Sequence, residues 1–152
     1  MTITSWRVVK HRFAATAFDG EGARRFGGRW NSAGRSMVYT AATTSLALLE
    51  LLVNADAGLL PHYLAIPVVF DEDVVEPFDR AHLPRTWRSH PAPHELKRLG
   101  NRWLDEGRSC VLEVPSAVVP HESNYLLNPA HYAFASVLFG EPIGVETDPR
   151  LR

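Results

Sequence analysis

The sequence predicts a single α+β domain that occupies all 152 residues. Its length suits one domain with a real core, and its apolar content of 45% is typical of a globular protein. Short runs of β-branched and aromatic residues alternate irregularly with two helical segments. Because these segments do not form a regular strand–helix–strand series, the pattern argues against a Rossmann fold.

The amino-terminal third predicts two strands and a helix around a glycine-rich loop. Residues 6–9 and 37–40 have strand composition, and the segment 20–34 between them is expected to be a long loop. Residues 43–45 offer hydroxyl N-caps for a helix from Leu46 to about Asn54. Leucines lie on nearly every side of this helix, so we expect it to be buried.

The middle of the chain predicts a strand, a long loop and an amphipathic helix. Residues 63–70 read as a strand in which Pro67 indicates an edge or a bulge. Residues 76–93 are rich in proline, histidine and arginine, which is typical of a long loop or flap. An apolar stripe predicts a helix over 95–106, and Gly107 is a plausible stop.

The carboxyl-terminal third is less regular. Residues 109–114 predict a strand, and 118–119 a second, short one. Residues 131–139 are apolar enough for either a final strand or a buried helix, and periodicity does not separate the two.

Charge and composition bound the function classes. The net charge of −1 argues against a broad nucleic-acid interface, although a local anion site remains compatible with it. No apolar run suffices to span a bilayer, and no signal peptide is visible. The single cysteine, Cys110, leaves no intrachain disulfide, so we expect a cytoplasmic protein.

The segment 27–31, Gly-Gly-Arg-Trp-Asn, is the most informative motif. Glycines let backbone approach a ligand closely, and Arg29 offers a permanently charged planar fork that suits phosphate. This combination indicates a bound anion. The alternative is a glycine-rich surface turn with solvated arginines.

Glu50 is unusual because apolar residues surround it in the predicted helix. A buried carboxylate is costly unless it is paired or hydrogen-bonded, so Glu50 either faces solvent or lines a pocket. Arg29 is its candidate cationic partner. Tyr39, at the end of a strand, is either a core aromatic or a ring that stacks at a pocket floor.

Ser116 and Asn124 lie in a second polar run. Ser116 follows a strand but lacks a Gly-x-Ser-x-Gly elbow, so it is a hydrogen-bonding group rather than a nucleophile. Asn124 and Asn128 are candidates for either loop capping or ligand contact. Cys110 is expected in the core, and the histidines near residue 90 do not make a convincing metal site.

Together, these residues resemble the RES domain family, the toxin half of bacterial toxin–antitoxin pairs. The family takes its name from an arginine, a glutamate and a serine, which look like Arg29, Glu50 and Ser116. The resemblance covers almost the whole chain, through motifs at 6–7, 27–31, 38–41, 46–50, 114–116, 124–129 and 148–151.

The resemblance implies a fold similar to ADP-ribosyltransferase toxins, a small mixed domain with a split, twisted β-sheet around an NAD cleft. It implies that NAD is a substrate, that no metal is needed, and that NAD is depleted by hydrolysis or phosphorolysis. Transfer of ADP-ribose to a protein and a non-catalytic nucleotide-binding module are the alternatives. The implied partner is an Xre-like helix-turn-helix antitoxin, and we expect no direct nucleic-acid or membrane contact.

The resemblance also implies roles for the candidate residues. Glu50 would stabilise an oxocarbenium-like ribose, and Ser116 would bind that ribose or orient Glu50. The catalytic residues that we expect are Glu50, Arg29, Tyr39 and Ser116, and the expected substrate contacts are Arg7, Arg29, Tyr39 and Asn124.

Overall fold

The computed structural model describes residues 1–54 and 61–151, which form one curled sheet with three α-helices. The strands are β1 (Thr2–Lys10), β2 (Val38–Ala41), β3 (Tyr63–Asp71), β4 (Val75–Pro77), β5 (Val111–Pro115), β6 (Ser123–Leu127), β7 (Leu138–Phe139) and β8 (Ile143–Gly144). The helices are α1 (Glu21–Phe26), α2 (Thr44–Leu52) and α3 (His94–Glu106). The mixed class predicted from the sequence is confirmed.

The sheet is split between its two central strands. Its order is β4-β5-β6-β2-β1-β3-β7, and β8 also pairs with β3. β1 pairs with β3 along its whole length, from Thr2 opposite Asp71 to Lys10 opposite Tyr63. β1 and β2, in contrast, are in register only at Trp6 and Ala41. The two halves of the sheet therefore diverge beyond that point, as the resemblance predicted.

Two large clusters of buried side chains hold the fold together. One lies between β3, β5 and β6, and the other joins α3 to the glycine-rich segment through Trp30, Leu96 and Trp103. α3 is strongly amphipathic, as predicted, and Gly107 ends it in the left-handed conformation that suits glycine. Cys110 is fully buried in the core, also as expected, and burial raises the pKa of its thiol to about 11.

α2 begins at Thr44 and ends at Leu52, each two residues earlier than the predicted Leu46 and Asn54, and its cap is the first of the three predicted cap residues. The Thr43 hydroxyl accepts a hydrogen bond from the Leu46 amide at 3.0 Å, which caps the helix. The expectation that α2 is buried is wrong, because only Leu46 of its nine residues is buried. Leu49 is 43% exposed and Val53, just beyond the helix, 62% exposed. α2 thus packs against β1 and β2, at the split in the sheet, instead of entering the core.

Several other elements differ from the prediction. The expected loop 20–34 contains α1, and the polar run after β5 contains β6, whose leucines are buried on a central strand. Residues 118–119 form a bend instead of a strand. The ambiguous segment 131–139 is neither alternative alone, since it is a 3-10 helix followed by β7.

Contrary to the prediction, Pro67 lies neither on an edge strand nor at a bulge, because β3 pairs with β1 in unbroken register and with β7 and β8 on its other side. Pro67 lies on the outer side of β3, between the positions that pair with β8 and with β7. A proline can occupy this gap because it has no amide hydrogen to donate. The predicted loop 76–93 is closer to expectation. β4 takes the first two residues of the expected loop, and a 3-10 turn at Arg80–His82 follows. Among residues 1–54 and 61–151, no helix has the length and apolarity to cross a membrane.

Candidate active site

An open cleft of about 1250 Å³ lies where β1 and β2 diverge. The glycine-rich segment forms one wall, and the end of α2 and the turn after β5 form another. Five of the six candidate residues line this cleft: Arg7, Arg29, Tyr39, Glu50 and Asn124. The sixth, Ser116, is fully buried behind the wall.

Glu50 reaches the cleft from the last turns of α2. Its Oε1 atom accepts two hydrogen bonds of 2.8 Å, one from the Ser116 hydroxyl and one from the Asn124 amide. No hydrogen bond within the described ranges, 1–54 and 61–151, reaches its Oε2 atom. One carboxylate oxygen is therefore anchored, while the other is available to a ligand.

Ser116 has a hydroxyl whose hydrogen-bonding capacity is fully used. Its oxygen accepts the amides of Val118 and Val119, both at 3.1 Å. Its single proton is then left for Glu50, which fixes the direction of that hydrogen bond. Of the two roles considered for Ser116, orientation of Glu50 is the one that this geometry favours.

Asn124 lies on β6, a strand, rather than in the loop that capping would require. Its Nδ2 donates to Glu50, which determines which way the amide points. Its Oδ1 is buried and has no partner in the part of the chain that the structure describes. Asn128, by contrast, caps a turn, because its Oδ1 accepts the Ala130 amide at 3.0 Å.

Arg29 is held by main-chain carbonyls. Its Nη1 donates to the carbonyl oxygens of Trp87 and Ser89, both at 3.0 Å. The expected direct pair with Glu50 is wrong, since Glu50 takes its hydrogen bonds from Ser116 and Asn124. Partial burial lowers the pKa of Arg29, and the negative charge of Glu50 opposes that shift.

Tyr39 uses its hydroxyl to hold the glycine-rich turn. The hydroxyl donates to Asn31 Oδ1 at 2.5 Å and accepts the Trp30 amide at 3.1 Å. Burial raises the pKa of Tyr39, so the hydroxyl stays protonated at any physiological pH. A Cβ at Gly28 would lie 2.5 Å from that hydroxyl, which explains why glycine is required there.

Arg7 bridges the split in the sheet. Its Nη1 donates to the Tyr39 carbonyl at 2.9 Å, where β1 and β2 no longer pair. Burial lowers the pKa of its guanidinium, against the opposing charge of Asp19. Its Nε is buried without a protein partner among the residues described.

Sequence reasoning missed the role of α3 in bracing the glycine-rich segment. The sequence does carry a sign of this role. Polar side chains recur every four residues along α3, at Lys97, Asn101 and Asp105, and this spacing places them on one helix face. They bind Gly28 O, Ser32 and Arg35, respectively. Within the same helix, Gly100 touches the backbone of Trp30 so closely that no larger residue fits.

The sequence model of the RES domain family matches residues 4–145. The chain belongs to the RES domain family. It is 37% identical over 149 residues to "Toxin Res" of Yersinia enterocolitica, covering 97% of this chain and 98% of that protein. It is 38% identical over 137 residues to the "Prs ADP-ribosylating toxin" of Sphingobium, covering 86% and 85%.

The fold is shared with a solved member of a toxin–antitoxin complex. A chain in the crystal structure of the M. tuberculosis MbcT–MbcA toxin–antitoxin complex superposes with a TM-score of 0.77. The match covers 95% of this RES domain and 85% of that chain, at 17% sequence identity. At this identity, the likeness shows the fold alone.

Proposed function

We propose that this RES domain is a cytoplasmic bacterial toxin that cleaves the nicotinamide–ribose bond of NAD and so arrests growth. The observation that carries the proposal is the carboxylate of Glu50, anchored through one oxygen and open through the other to a cleft of about 1250 Å³. Two relatives named as toxins, one of them ADP-ribosylating, support it.

The proposed reaction develops positive charge on the substrate. As the bond between nicotinamide nitrogen and ribose C1′ breaks, its electron pair leaves with the nicotinamide, whose ring becomes neutral. The ribose becomes oxocarbenium-like, and the free Oε2 of Glu50 stabilises it by charge and by accepting a ribose hydroxyl. Ser116 and Asn124 keep the carboxylate in place, so little reorganisation is needed during the reaction.

The remaining candidate residues would bind NAD. Arg29 and Arg7 offer guanidinium groups to the diphosphate or the ribose. Tyr39 lines the cleft while its hydroxyl is bound in the glycine-rich turn, so its ring would be the part that stacks on nicotinamide. Asn124 would contact the ribose beside Glu50.

The acceptor of the ADP-ribosyl group defines the reaction class. Attack by water completes hydrolysis, and attack by inorganic phosphate completes phosphorolysis; either depletes NAD. A protein acceptor is the second candidate, and the relative named "Prs ADP-ribosylating toxin" favours it.

The proposed partner is an antitoxin of the Xre-like helix-turn-helix type that covers the cleft. Three apolar side chains at the cleft support this: Phe26 is 83% exposed, Val53 62% and Phe13 48%. Exposed apolar patches of this kind commonly mark protein-binding sites.

The test is NAD turnover by purified, antitoxin-free protein, with and without inorganic phosphate, the products being separated by chromatography. We expect nicotinamide release, with ADP-ribose as the coproduct of hydrolysis or phosphorylated ADP-ribose as that of phosphorolysis. Glu50→Gln retains an oxygen for Ser116 and Asn124 but loses the charge. It should lower kcat by about 1000-fold or more at unchanged Tm. Glu141→Gln, at an exposed site away from the cleft, is the matched control.

Each result separates the candidate functions. Full activity of Glu50→Gln would show that the carboxylate has been assigned wrongly. If the folded protein turned over no NAD in either buffer, NAD depletion would be excluded as the function. Label from NAD appearing on one cellular protein would then establish ADP-ribosylation instead. NAD binding without turnover or label would leave a binding module.

A further inference from the structure

Residues 78–93, called the cover segment below, do not form a free flap. Phe78, Leu83 and Trp87 pack against the buried cluster of α3 and the glycine-rich segment. The rings of Trp30 and Phe78 meet edge to face, with their centroids 5.1 Å apart. The cover segment is therefore docked on the same core that supports Arg29.

The cover segment also joins the two walls of the cleft. On one side, its Trp87 and Ser89 carbonyls accept the hydrogen bonds of Arg29. On the other, Arg88 Nε donates to the Ala117 carbonyl at 3.0 Å. Ala117 directly follows Ser116, the residue that anchors Glu50. Arg88 thus lies at the side of the cleft where the chemistry is proposed.

The guanidinium of Arg88 has unused donors. Its Nε is taken by Ala117, while no hydrogen bond or ion pair within residues 1–54 and 61–151 reaches its two Nη groups. Arg88 is exposed and lines the cleft together with His90. Arg25, another cleft arginine, differs because Glu21 pairs with it at 3.3 Å. The Nη groups of Arg88 are therefore available to an anion in the cleft, while the bond at Nε holds the guanidinium in place.

We propose that Arg88 binds the diphosphate of the dinucleotide. The inference rests on the proposed function only for the identity of the substrate. A planar guanidinium donates two parallel hydrogen bonds to phosphate oxygens, and anchoring Nε aims the remaining donors. The phosphate next to the nicotinamide ribose lies one methylene from that sugar. A ribose at Glu50 therefore keeps the diphosphate near that side of the cleft, where Arg88 is fixed through Ala117.

The test compares two substrates in matched variants. Arg88→Ala should raise KM for NAD about tenfold or more, as expected for the loss of a charge-assisted hydrogen bond, with a small change in kcat. Nicotinamide riboside lacks the diphosphate, so kcat/KM for this substrate should be the same in Arg88→Ala and wild type. Arg88→Lys keeps the charge and should recover part of the loss. Arg85→Ala removes an exposed arginine of the same segment that does not line the cleft, and should change nothing.

A structural role would give a different result. If Arg88→Ala weakened NAD and nicotinamide riboside equally, Arg88 would act through the turn that holds Ser116, and the proposal would be overturned. An unchanged KM for NAD in an otherwise active enzyme would also overturn it, while leaving the proposed function intact.

Calorimetric titration with ADP-ribose separates this proposal from the proposed function. Weaker binding to Arg88→Ala than to Arg85→Ala and wild type supports a diphosphate contact even if wild type cleaves no NAD. Equal binding to all three proteins contradicts that contact, whatever the outcome of the turnover assay.

Discussion

Glu50 and Arg29, two charged groups of the cleft, are held in opposite ways. Glu50 is positioned by side chains, because Ser116 and Asn124 both donate to the same carboxylate oxygen. Arg29 is positioned by backbone, because the carbonyls of Trp87 and Ser89 accept its hydrogen bonds. The first arrangement depends on the chemistry of two residues, whereas the second depends on the shape of the segments that bring those carbonyls close.

This difference determines which substitutions should disturb the position of each charged group. Removal of one polar group should disturb Glu50 and leave the fold nearly unchanged. Arg29 should tolerate many substitutions in the cover segment, because every residue type supplies a carbonyl. The position of Arg29 should be lost when the packing beneath the glycine-rich segment changes.

The largest effect is expected for Gly100→Ala, which tests the packing under Arg29. The new Cβ would lie 1.7 Å from the Trp30 carbonyl oxygen, so α3 and the glycine-rich segment must separate. We expect the free energy of unfolding to fall by about 3 kcal/mol, measured by denaturant titration.

Gly22→Ala is the matched control for this helix glycine. Nothing lies within 4 Å of a Cβ at Gly22, and the residue is in α1. This variant should gain about 0.5–1 kcal/mol, since alanine suits a helix better. Equal stability of the two alanine variants would show that the Trp30 contact does not restrict the chain.

An intermediate effect is expected for Ser116→Ala and Asn124→Ala, which test the side-chain wall. Each leaves Glu50 with one anchor, and kcat for NAD should fall by about 10- to 100-fold because the reacting oxygen is displaced. Both donors share Oε1, so the double variant should lose less than the product of the single losses.

Ser123→Ala is a suitable control for Ser116→Ala. It deletes a hydroxyl–carboxylate hydrogen bond of the same 2.8 Å length, from Ser123 to Glu113 on the neighbouring strand. Loss of stability without loss of activity is expected there. Equal activity losses in Ser116→Ala and Ser123→Ala would mean that the effect is structural.

The smallest effect is expected for Arg35→Ala, which removes an exposed tie between the glycine-rich segment and α3. Arg35 makes two hydrogen bonds of 2.9 Å to Asp105. Exposed pairs of this kind contribute about 0.2–1 kcal/mol, and activity should be unchanged.

The pH dependence of this pair has a defined sign. The hydrogen-bonded Arg35 guanidinium lowers the pKa of Asp105, so the stabilisation is complete above the ordinary carboxyl range. It is lost as the pH falls through the lowered pKa. The stability difference between wild type and Arg35→Ala should therefore begin to shrink as the pH falls below about 4, and it should vanish once the pH is below the lowered pKa of Asp105. A difference that persisted in acid would come from packing of the arginine stem.

Local signals in the sequence were sufficient for the elements that carry them. Thr43 before a leucine-rich run gave the start of α2, and Gly107 gave the end of α3, because caps depend on nearby residues. The burial of α2 was mispredicted because leucine content does not reveal what covers a helix. β6 was missed because its first residues, Ser123 and Asn124, are polar in order to serve Glu50 and Glu113.

The candidate residues could be identified from their residue types, but their contacts could not be predicted from the sequence. The anchoring of Glu50 by Ser116 joins residues 66 positions apart. The carbonyls that hold Arg29 have no sequence signature at all, since every residue has one. Arg85 and Arg88 are the same residue type in the same segment. The sequence could therefore not distinguish them, and only the fold places Arg88 in the cleft.

Because α2 buries only one residue, Glu50 also has a structural role. Leu46 is the only side chain that the helix buries. The hydrogen bonds that Glu50 accepts from Ser116 and Asn124 therefore also attach the helix to the rest of the domain. The residue proposed to act on the substrate is therefore also a tether. Evolution cannot discard its oxygen atoms without loosening the helix that presents them, even in a descendant that no longer needs the reaction.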